Sequence, residues 1–163
     1  MNVVCYSYFI SEASVYNKPD RNAKRYLQFC QFLPMLVRAH HSIYPGWKLI
    51  IYHDNRVMEL PYMKALNALH DADLINLRFM GVCDSICGSS GMLARLNPAF
   101  EDINVEYLAC RDIDSIPTPR ERCCVEEFIA SGKAVSTIHD NAAHAGLMGV
   151  TLAVKAKRFK EIA

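Results

Sequence analysis

The sequence predicts an α/β fold in which a mostly parallel β-sheet is flanked by helices. Two observations predict it. Short apolar runs rich in β-branched and aromatic residues alternate along the chain with segments of helical periodicity, and polar residues collect where the apolar runs end. Strands that are buried on both faces and joined through helices run parallel to one another. With 163 residues, 52% of them hydrophobic, we expect a single domain over residues 1–163 with an ordinary core.

The first half of the chain is predicted to hold three strands and two helices. The first helix has apolar residues at helical spacing, and Pro34 is expected to kink or break it. A turn at Tyr44, Pro45 and Gly46 precedes the second strand, and Pro61 suits the first turn of the second helix. In order, these elements are a strand over residues 2–10, a helix over 22–42, a strand over 47–52, a helix over 61–69 and a strand over 74–80.

The second half continues the alternation. Residues 91–96 predict a short helix that stops near Pro98. A longer helix is predicted from Pro119 to Ser131 and is closed by Gly132, because proline and glycine are favoured at these two ends. The other elements are a strand from residue 105, a strand over 133–138, and a last strand within 147–154 followed by the start of a helix in 155–160. This last segment favours a domain that continues beyond it.

Composition and charge exclude several classes of protein. The net charge of +1 argues against a dedicated nucleic-acid-binding protein. The seven cysteines form no Cys-x-x-Cys pair, and their odd number suits a disulfide framework poorly. We therefore expect reduced thiols, mostly buried, in a cytoplasmic protein. No run approaches the roughly 18 apolar residues of a membrane span, so no membrane segment is expected.

Two Asp-x-Asp triplets are present, and their contexts differ. Asp71 and Asp73 follow a helical pattern, which predicts a solvated helix end. Asp112 and Asp114 follow a buried-strand pattern, in which side chains two apart project to the same side. Both acids can then face one hard cation, Mn²⁺ or Mg²⁺, at the carboxyl end of a strand, where open α/β sheets bind phosphate-bearing ligands. The alternative, that these acids only cap the turn before Pro117, stays open at this point.

The stretch from Gly91 to Pro98, followed by that from Tyr107 to Asp114, resembles a block in nucleotide-sugar glycosyltransferases of the GT-A fold, a Rossmann-like α/β fold. In that family an Arg-bearing helix precedes the strand that carries the metal-binding DxD motif. The wider ordered set is similar to the DxD glycosyltransferases of large DNA viruses and some bacteria, and a viral protein would act in the host cytoplasm. Its further members are Tyr44 to Trp47, Ile51 to Asp54, Arg120 and Glu121, Glu127 and Phe128, His139 and Asp140, and His144.

The resemblance implies a metal-dependent transferase that moves a hexose from a nucleotide-diphosphate donor, most commonly UDP, to the hydroxyl of a glycan or another acceptor. The implied ligands of Mn²⁺ or Mg²⁺ are Asp112, Asp114 and His144, with Asp114 the direct ligand. Asp112 is also expected to contact the donor, through its ribose or through a metal-bound water. Arg95 is expected to contact a phosphate or position the sugar, because its guanidinium fork suits oxyanions.

Further candidate residues follow from the sheet and from the reaction. An aromatic side chain at the end of the first strand can stack on a nucleobase, although a buried aromatic is an equal alternative. If the anomeric carbon is inverted, a carboxylate must accept the acceptor's proton, and Asp140 is the first candidate and Glu121 the second. The candidates at the ends of the first two strands, where open α/β sheets bind nucleotides, are Tyr8, Phe9, Ser11, Asp54 and Arg56.

Three other readings compete with a glycosyltransferase. A haloacid-dehalogenase-type phosphatase also carries an Asp-x-Asp at a strand end, but Ile116 stands where that motif has Thr or Val. A sugar-nucleotide pyrophosphorylase needs a Gly-rich loop after the first strand, and residues 7–16 contain no glycine. A non-catalytic module that binds nucleotide sugars stays open, because it would share the donor site.

Overall fold

In the computed structural model, residues 1–9, 32–54, 61–80, 89–139 and 151–163 are described, and within them six strands form one sheet flanked by helices. The predicted α/β fold with a mostly parallel sheet is confirmed. The strands are β1 (Asn2–Tyr8), β2 (Lys48–His53), β3 (Asn76–Phe79), β4 (Tyr107–Asp112), β5 (Val135–Thr137) and β6 (Leu152–Lys155). The helices are α1 (32–43), α2 (Pro61–Asp71), α3 (Ser89–Leu93), α4 (Asn97–Glu101), α5 (Pro119–Ser131) and α6 (Ala156–Ile162), with a 3-10 turn (Ala94–Leu96) between α3 and α4.

The strand order is β3-β2-β1-β4-β6-β5. Strands β3, β2, β1 and β4 are parallel, whereas β6 runs antiparallel to both of its neighbours, so β5 points in the same direction as β4. The chain adds β2 and β3 on one side of β1 and then β4 on the other. The order of the strands therefore reverses between β1 and β4, and open α/β sheets bind ligands outside the carboxyl ends of strands at such a switch point.

The two faces of the sheet carry two separate apolar layers, because successive side chains of a strand point to opposite faces. On one face Tyr107 packs with α5, and its ring meets Phe128 edge to face at 6.0 Å between centroids. On the other face Leu108 and Cys110 pack with Ala99 of α4. Each fully buried leucine-sized side chain stabilises the fold by about 1.5–3 kcal/mol.

Local signals set the bounds of α5 as predicted. Pro119 stands in the first turn, and the hydroxyl of Thr118 accepts a hydrogen bond of 3.2 Å from the backbone N–H of Glu121. Gly132 ends the helix with φ 66°, in the left-handed region where a side chain would be strained. The prediction of this helix over Pro119–Ser131 is confirmed.

The helix predicted over residues 91–96 corresponds to the end of α3 and the 3-10 turn, which stops at Leu96, but the chain does not leave helical structure at Pro98. Pro98 lies in the first turn of α4, a new helix that runs from Asn97 to Glu101. A first-turn residue needs no N–H partner inside the helix, so proline fits there. The last predicted elements are confirmed as β6 and α6, and Asp71 and Asp73 lie exposed at and after the end of α2, as predicted.

Several other predictions are tested only in part. The predicted helix over residues 22–42 is helical from residue 32 onward, it continues past Pro34, and its earlier part lies outside the described residues. Cys5 and Cys110 are buried free thiols, as predicted, but Cys123 is exposed on the solvent side of α5. None of the helices in the described ranges has the length and apolar character needed to cross a membrane.

Candidate functional site

The candidate site lies where β1, β2 and β4 end at one edge of the sheet. The register pairs Ser7 with Asp112 and Tyr8 with His53, so the three carboxyl ends are level. Neighbouring strands lie about 4.8 Å apart, so the three ends together span about 10 Å. The residues that follow them, among them Phe9 and Asp114, start from adjacent points of this edge.

Asp112 and Asp114 lie at the carboxyl end of β4 and in the turn that follows it. Strand β4 ends at Asp112, and the next residues form a turn that the N–H of Ser115 closes on the carbonyl of Asp112 at 2.9 Å. Strand alternation therefore does not extend to Asp114. The buried side chain of Ile113 anchors the turn, while Asp114 is exposed and the Asp112 side chain is 29% exposed. Both carboxylates thus reach solvent beside β1, and the main chain of Asp112 closes the turn.

Arg95 is buried and ion-paired with the first of these acids. It lies in the 3-10 turn with 2% of its side chain exposed, and its Nη1 donates a short hydrogen bond to Oδ1 of Asp112. Its Nε donates to the carbonyl of Met92 at 3.0 Å, and its Nη2 lies 2.9 Å from the sulfur of the same residue. The guanidinium is therefore buried and is held from two sides, by Asp112 and by Met92.

The backbone of Arg95 is held as well. The thiol of Cys110 in β4 donates to the carbonyl of Arg95 at 3.3 Å. Burial raises the pKa of Cys110 to about 12, so the thiol keeps the proton that this bond requires. Cys110 and Asp112 project to the same face of β4. Cys110 holds the main chain of Arg95 and Asp112 holds its side chain, so the two residues attach the 3-10 turn to the strand.

Phe9 is held against α3 by a glycine. A Cβ atom added to Gly91 would lie 2.6 Å from Cγ of Phe9, so only glycine permits this approach. The Phe9 ring packs on the backbone of α3 and is partly exposed. Sequence reasoning missed this role of Gly91. The available signal was a glycine inside a helical segment, where it costs about 1 kcal/mol relative to alanine.

Two other predicted donor-binding residues lie beneath the surface of the site. Tyr8 and Asp54 have exposures of 1% and 0%, and the N–H of Asp54 donates to the carbonyl of Tyr8 at 3.4 Å. Nδ1 of His53 lies 3.2 Å from the carbonyl of Asp54. These residues are buried beneath the edge, and among the described residues there, the side chains that reach solvent are those of Phe9, Asp112 and Asp114.

Glu121, the second candidate base, lies on the other face of β4, where Arg111 and Tyr44 surround its carboxylate. Its Oε1 accepts from Nε of Arg111 at 2.6 Å and from the hydroxyl of Tyr44 at 2.8 Å. Burial opposes the charge of Arg111, but the facing Glu121 carboxylate raises the arginine pKa above its ordinary value; burial and then Glu121 raise that of Tyr44. The carboxylate thus joins α5 to β4 and α1, and we do not retain it as a candidate base.

The other predicted site residues, Ser11, Arg56, Asp140 and His144, lie outside the described residues. Among the described residues, no cluster of three or more His, Cys, Asp or Glu side chains is placed to hold a metal. The available set is the two carboxylates of Asp112 and Asp114. It fits a cation that arrives with phosphates, because Mg²⁺ at such sites takes one or two carboxylates and fills its shell with phosphate oxygens and water.

Comparison of the chain with models of known protein families and with curated proteins finds no match. The functional interpretation therefore depends on the geometry of the site. Its distinguishing features are the position of Asp112 and Asp114 at the switch point and the buried guanidinium of Arg95 against the first of them.

Proposed function

We propose that this protein is a metal-dependent glycosyltransferase of the GT-A fold, which transfers a sugar from a nucleotide-diphosphate donor, UDP-hexose, to an acceptor hydroxyl. The observation that carries the proposal is the pair Asp112 and Asp114 at the carboxyl end of β4, beside β1 at the switch point of the sheet. One exposed and one partly exposed carboxylate at this position suit a ligand that brings a divalent cation on its phosphates.

The residues of the edge match the needs of a departing diphosphate. Asp112 and Asp114 would hold Mn²⁺ or Mg²⁺, which supplies Lewis-acid stabilisation of the leaving phosphates when bound. Among the described residues, Nη2 of Arg95 contacts only the thioether of Met92, and sulfur is a weak acceptor. A phosphate oxygen would be a stronger acceptor for this N–H group, so Arg95 can contact the ligand without giving up Asp112.

The nucleotide would lie toward β1. Phe9 follows the last residue of β1 and rests on the backbone of α3 at Gly91. A partly exposed ring held in this way can stack on a nucleobase, and such stacking contributes about 1–3 kcal/mol per base. The acceptor would lie on the opposite side, toward β5. Asp140 follows His139, the last described residue after β5, and remains the candidate base.

Isothermal titration calorimetry with UDP-glucose tests the donor site. We expect binding that requires Mn²⁺ and that falls at least tenfold in Asp114→Ala, about 1.4 kcal/mol or more. Asp73→Ala is the matched control, because Asp73 belongs to the other Asp-x-Asp triplet and is exposed after α2. Unchanged affinity in Asp114→Ala, or an equal loss in Asp73→Ala, would contradict the metal assignment.

Turnover separates the transferase from the two alternatives. We expect UDP release from UDP-glucose and Mn²⁺ to rise when an acceptor is added. Metal-dependent binding with no release under any acceptor would identify a non-catalytic module that binds nucleotide sugars. Hydrolysis of p-nitrophenyl phosphate with Mg²⁺ would instead favour a phosphatase, and we expect none.

A further inference from the structure

A cleft of about 390 Å³ runs between α5 and the edge of the sheet at β5. We call it the α5–β5 groove. One side of α5 forms its helix wall, through residues three or four apart along the helix: Arg120, Cys124, Glu127 and Ser131. Between the first and the last of these residues the helix rises about 16 Å. The segment that contains β5 forms the other wall, with Ser136 at the middle of the strand.

β5 is the last strand of the sheet, and no strand of the described ranges pairs with its outer side. The register with β6 determines which backbone groups face that side. The N–H of Lys155 in β6 donates to the carbonyl of Ala134 at 2.9 Å, so Ala134 directs its backbone groups toward β6. Backbone groups alternate in direction along an antiparallel pair, so those of Ser136 also face β6. The N–H and C=O groups of Val135 and Thr137 therefore face outward.

The outward backbone groups of β5 are open to a partner. In the part of the chain that the structure describes, no hydrogen bond reaches the outward groups of Val135 and Thr137, and residues 135–137 are all partly exposed. On the inner side, by contrast, the N–H of Ile138 donates to the hydroxyl of Thr151 at 3.2 Å, and its carbonyl accepts from the same hydroxyl at 2.9 Å. A strand edge with unpaired N–H and C=O groups accepts another extended chain through the hydrogen bonds that join strands.

The groove lies on the α5 side of this edge and has room because the sheet beneath it carries small side chains. Ser136 pairs with Ala153 of β6, which pairs with Ala109 of β4, so all three side chains point to the face that α5 covers. In a chain added to the edge, the residue beside Ser136 points to the same face, so its side chain would enter the groove. Cys124 and the buried ring of Phe128 line this space, so an uncharged side chain suits it.

We propose that the outer edge of β5 and the α5–β5 groove bind an extended peptide segment of a partner protein by β-strand addition, with an uncharged side chain of the peptide beside Ser136. The length of the groove matches about five residues of extended chain. β5 itself has only three residues, so backbone hydrogen bonds supply part of the contact and the groove supplies the rest. The proposal is independent of the donor site, because Asp112 projects from the opposite face of the sheet.

Peptide display on the full chain tests the edge. Random heptapeptides are selected on the immobilised protein, and the selected peptides are synthesised and titrated by calorimetry. We expect saturable binding that Thr137→Pro weakens at least tenfold, because proline removes the outward N–H and places its ring at the edge. Proline is tolerated on edge strands where the N–H faces outward, so the pairing of β5 with β6 should remain. Thr137→Ala is the matched control, because it keeps the N–H and should bind like the wild type.

Amide hydrogen exchange measured by NMR gives a second, position-specific result. In the free chain the amide of Ser136, which faces β6, should exchange slowly, whereas those of Val135 and Thr137 should exchange fast. Bound peptide should slow the exchange of both outward amides at least tenfold. Ser136→Leu, which fills the groove and leaves the outward backbone groups in place, should weaken peptide binding at least tenfold. Circular dichroism and urea denaturation verify that each variant is folded.

Three results would overturn the inference: no selected peptide with saturable binding, equal affinity of a selected peptide for the wild type and for a folded Thr137→Pro, or unchanged exchange of the outward amides in the complex. Light scattering of the peptide-free protein tests the other occupant of an open edge. A wild-type dimer that Thr137→Pro converts to a monomer would show that a second copy of this chain covers β5, and it would overturn the peptide site. We expect a monomer in both cases.

Discussion

Two buried arginines lie on opposite faces of β4, and their carboxylate partners differ in what they can do next. Arg95 pairs with Asp112, whose side chain is 29% exposed at the edge of the sheet. Arg111 pairs with Glu121, whose side chain is 14% exposed beneath α5. The arginines themselves are equally buried, so the difference lies in the acids.

The contrast separates an ion pair that can take part in ligand binding from one that stabilises the fold. One oxygen of Glu121 accepts from both Arg111 and Tyr44, so a ligand would have to displace interior contacts to reach it. Asp112 makes its pair at the rim, and a second exposed acid, Asp114, follows two residues later. Buried pairs are costly to break, whereas groups that reach water can exchange partners at small cost. We therefore place ligand binding at the Arg95 pair and folding stability at the Arg111 pair.

The largest expected effect is on the Arg111 pair. Glu121→Ala should lower the free energy of unfolding by about 3–5 kcal/mol, because it leaves the buried Arg111 charge with backbone carbonyls but without an acidic partner. Urea denaturation measures this loss. Glu126→Ala is the matched control on the same helix, since Glu126 pairs with Arg122 at 2.8 Å and is 55% exposed. That surface pair should contribute about 0.5 kcal/mol or less. Similar losses in the two variants would remove the basis of the comparison.

The second effect is the pH dependence of the free energy of unfolding, which His40 in the same interior region should cause. His40 is fully buried, stacks on Tyr44 and bonds through Nε2 to the carbonyl of Trp47 at 3.0 Å. Burial lowers its pKa from 6.5 to about 4. The unfolded chain therefore binds more protons between these values, and the stability that neutral His40 contributes is complete above pH 6.5 and is lost as the pH falls toward 4. The loss is about 3 kcal/mol.

Urea denaturation between pH 7 and pH 4 measures how steeply the free energy of unfolding falls with pH, in the wild type and in His40→Phe. In His40→Phe the free energy of unfolding should depend much less on pH, because no group at that position then takes up a proton. His41→Asn is the control, since His41 is exposed and adjacent in sequence. If His40→Phe retains the full slope, another group causes it and the interior cluster around Tyr44 does not set the acid limit of stability.

The parts of the fold that could be predicted from sequence depend on neighbours along the chain. Pro119 and Gly132 mark the ends of α5 through backbone chemistry alone. The placement of Asp112 at the end of a strand follows from the apolar run before it. Pro98 shows the limit of such signals. A proline can follow the end of one helix or stand in the first turn of the next, and the sequence does not distinguish these two positions.

The parts that could not be predicted depend on contacts through space. The sequence identifies Arg95 as a candidate, but its burial requires α3, the 3-10 turn and β4 to meet. The sequence makes Glu121 a candidate base, but Arg111 and Tyr44 both donate hydrogen bonds to its Oε1, and neither contact can be read from the sequence. The contact between Gly91 and Phe9 joins residues that are far apart in the chain. None of these contacts leaves a periodic pattern.

The smallest expected effect on stability is at the Arg95 pair, and it sharpens the comparison most. In Asp112→Asn the amide oxygen can still accept a hydrogen bond from Arg95, so the buried guanidinium keeps a partner, and the free energy of unfolding should fall by less than the about 3–5 kcal/mol expected for Glu121→Ala. The Mn²⁺-dependent affinity for UDP-glucose should nevertheless fall at least tenfold, because a neutral amide is a poorer ligand for a hard cation than a carboxylate. Calorimetry and urea denaturation on the same preparation give both values. A loss of stability equal to that of Glu121→Ala, with affinity unchanged, would make Asp112 a structural residue like Glu121 and remove the distinction between the two faces of β4.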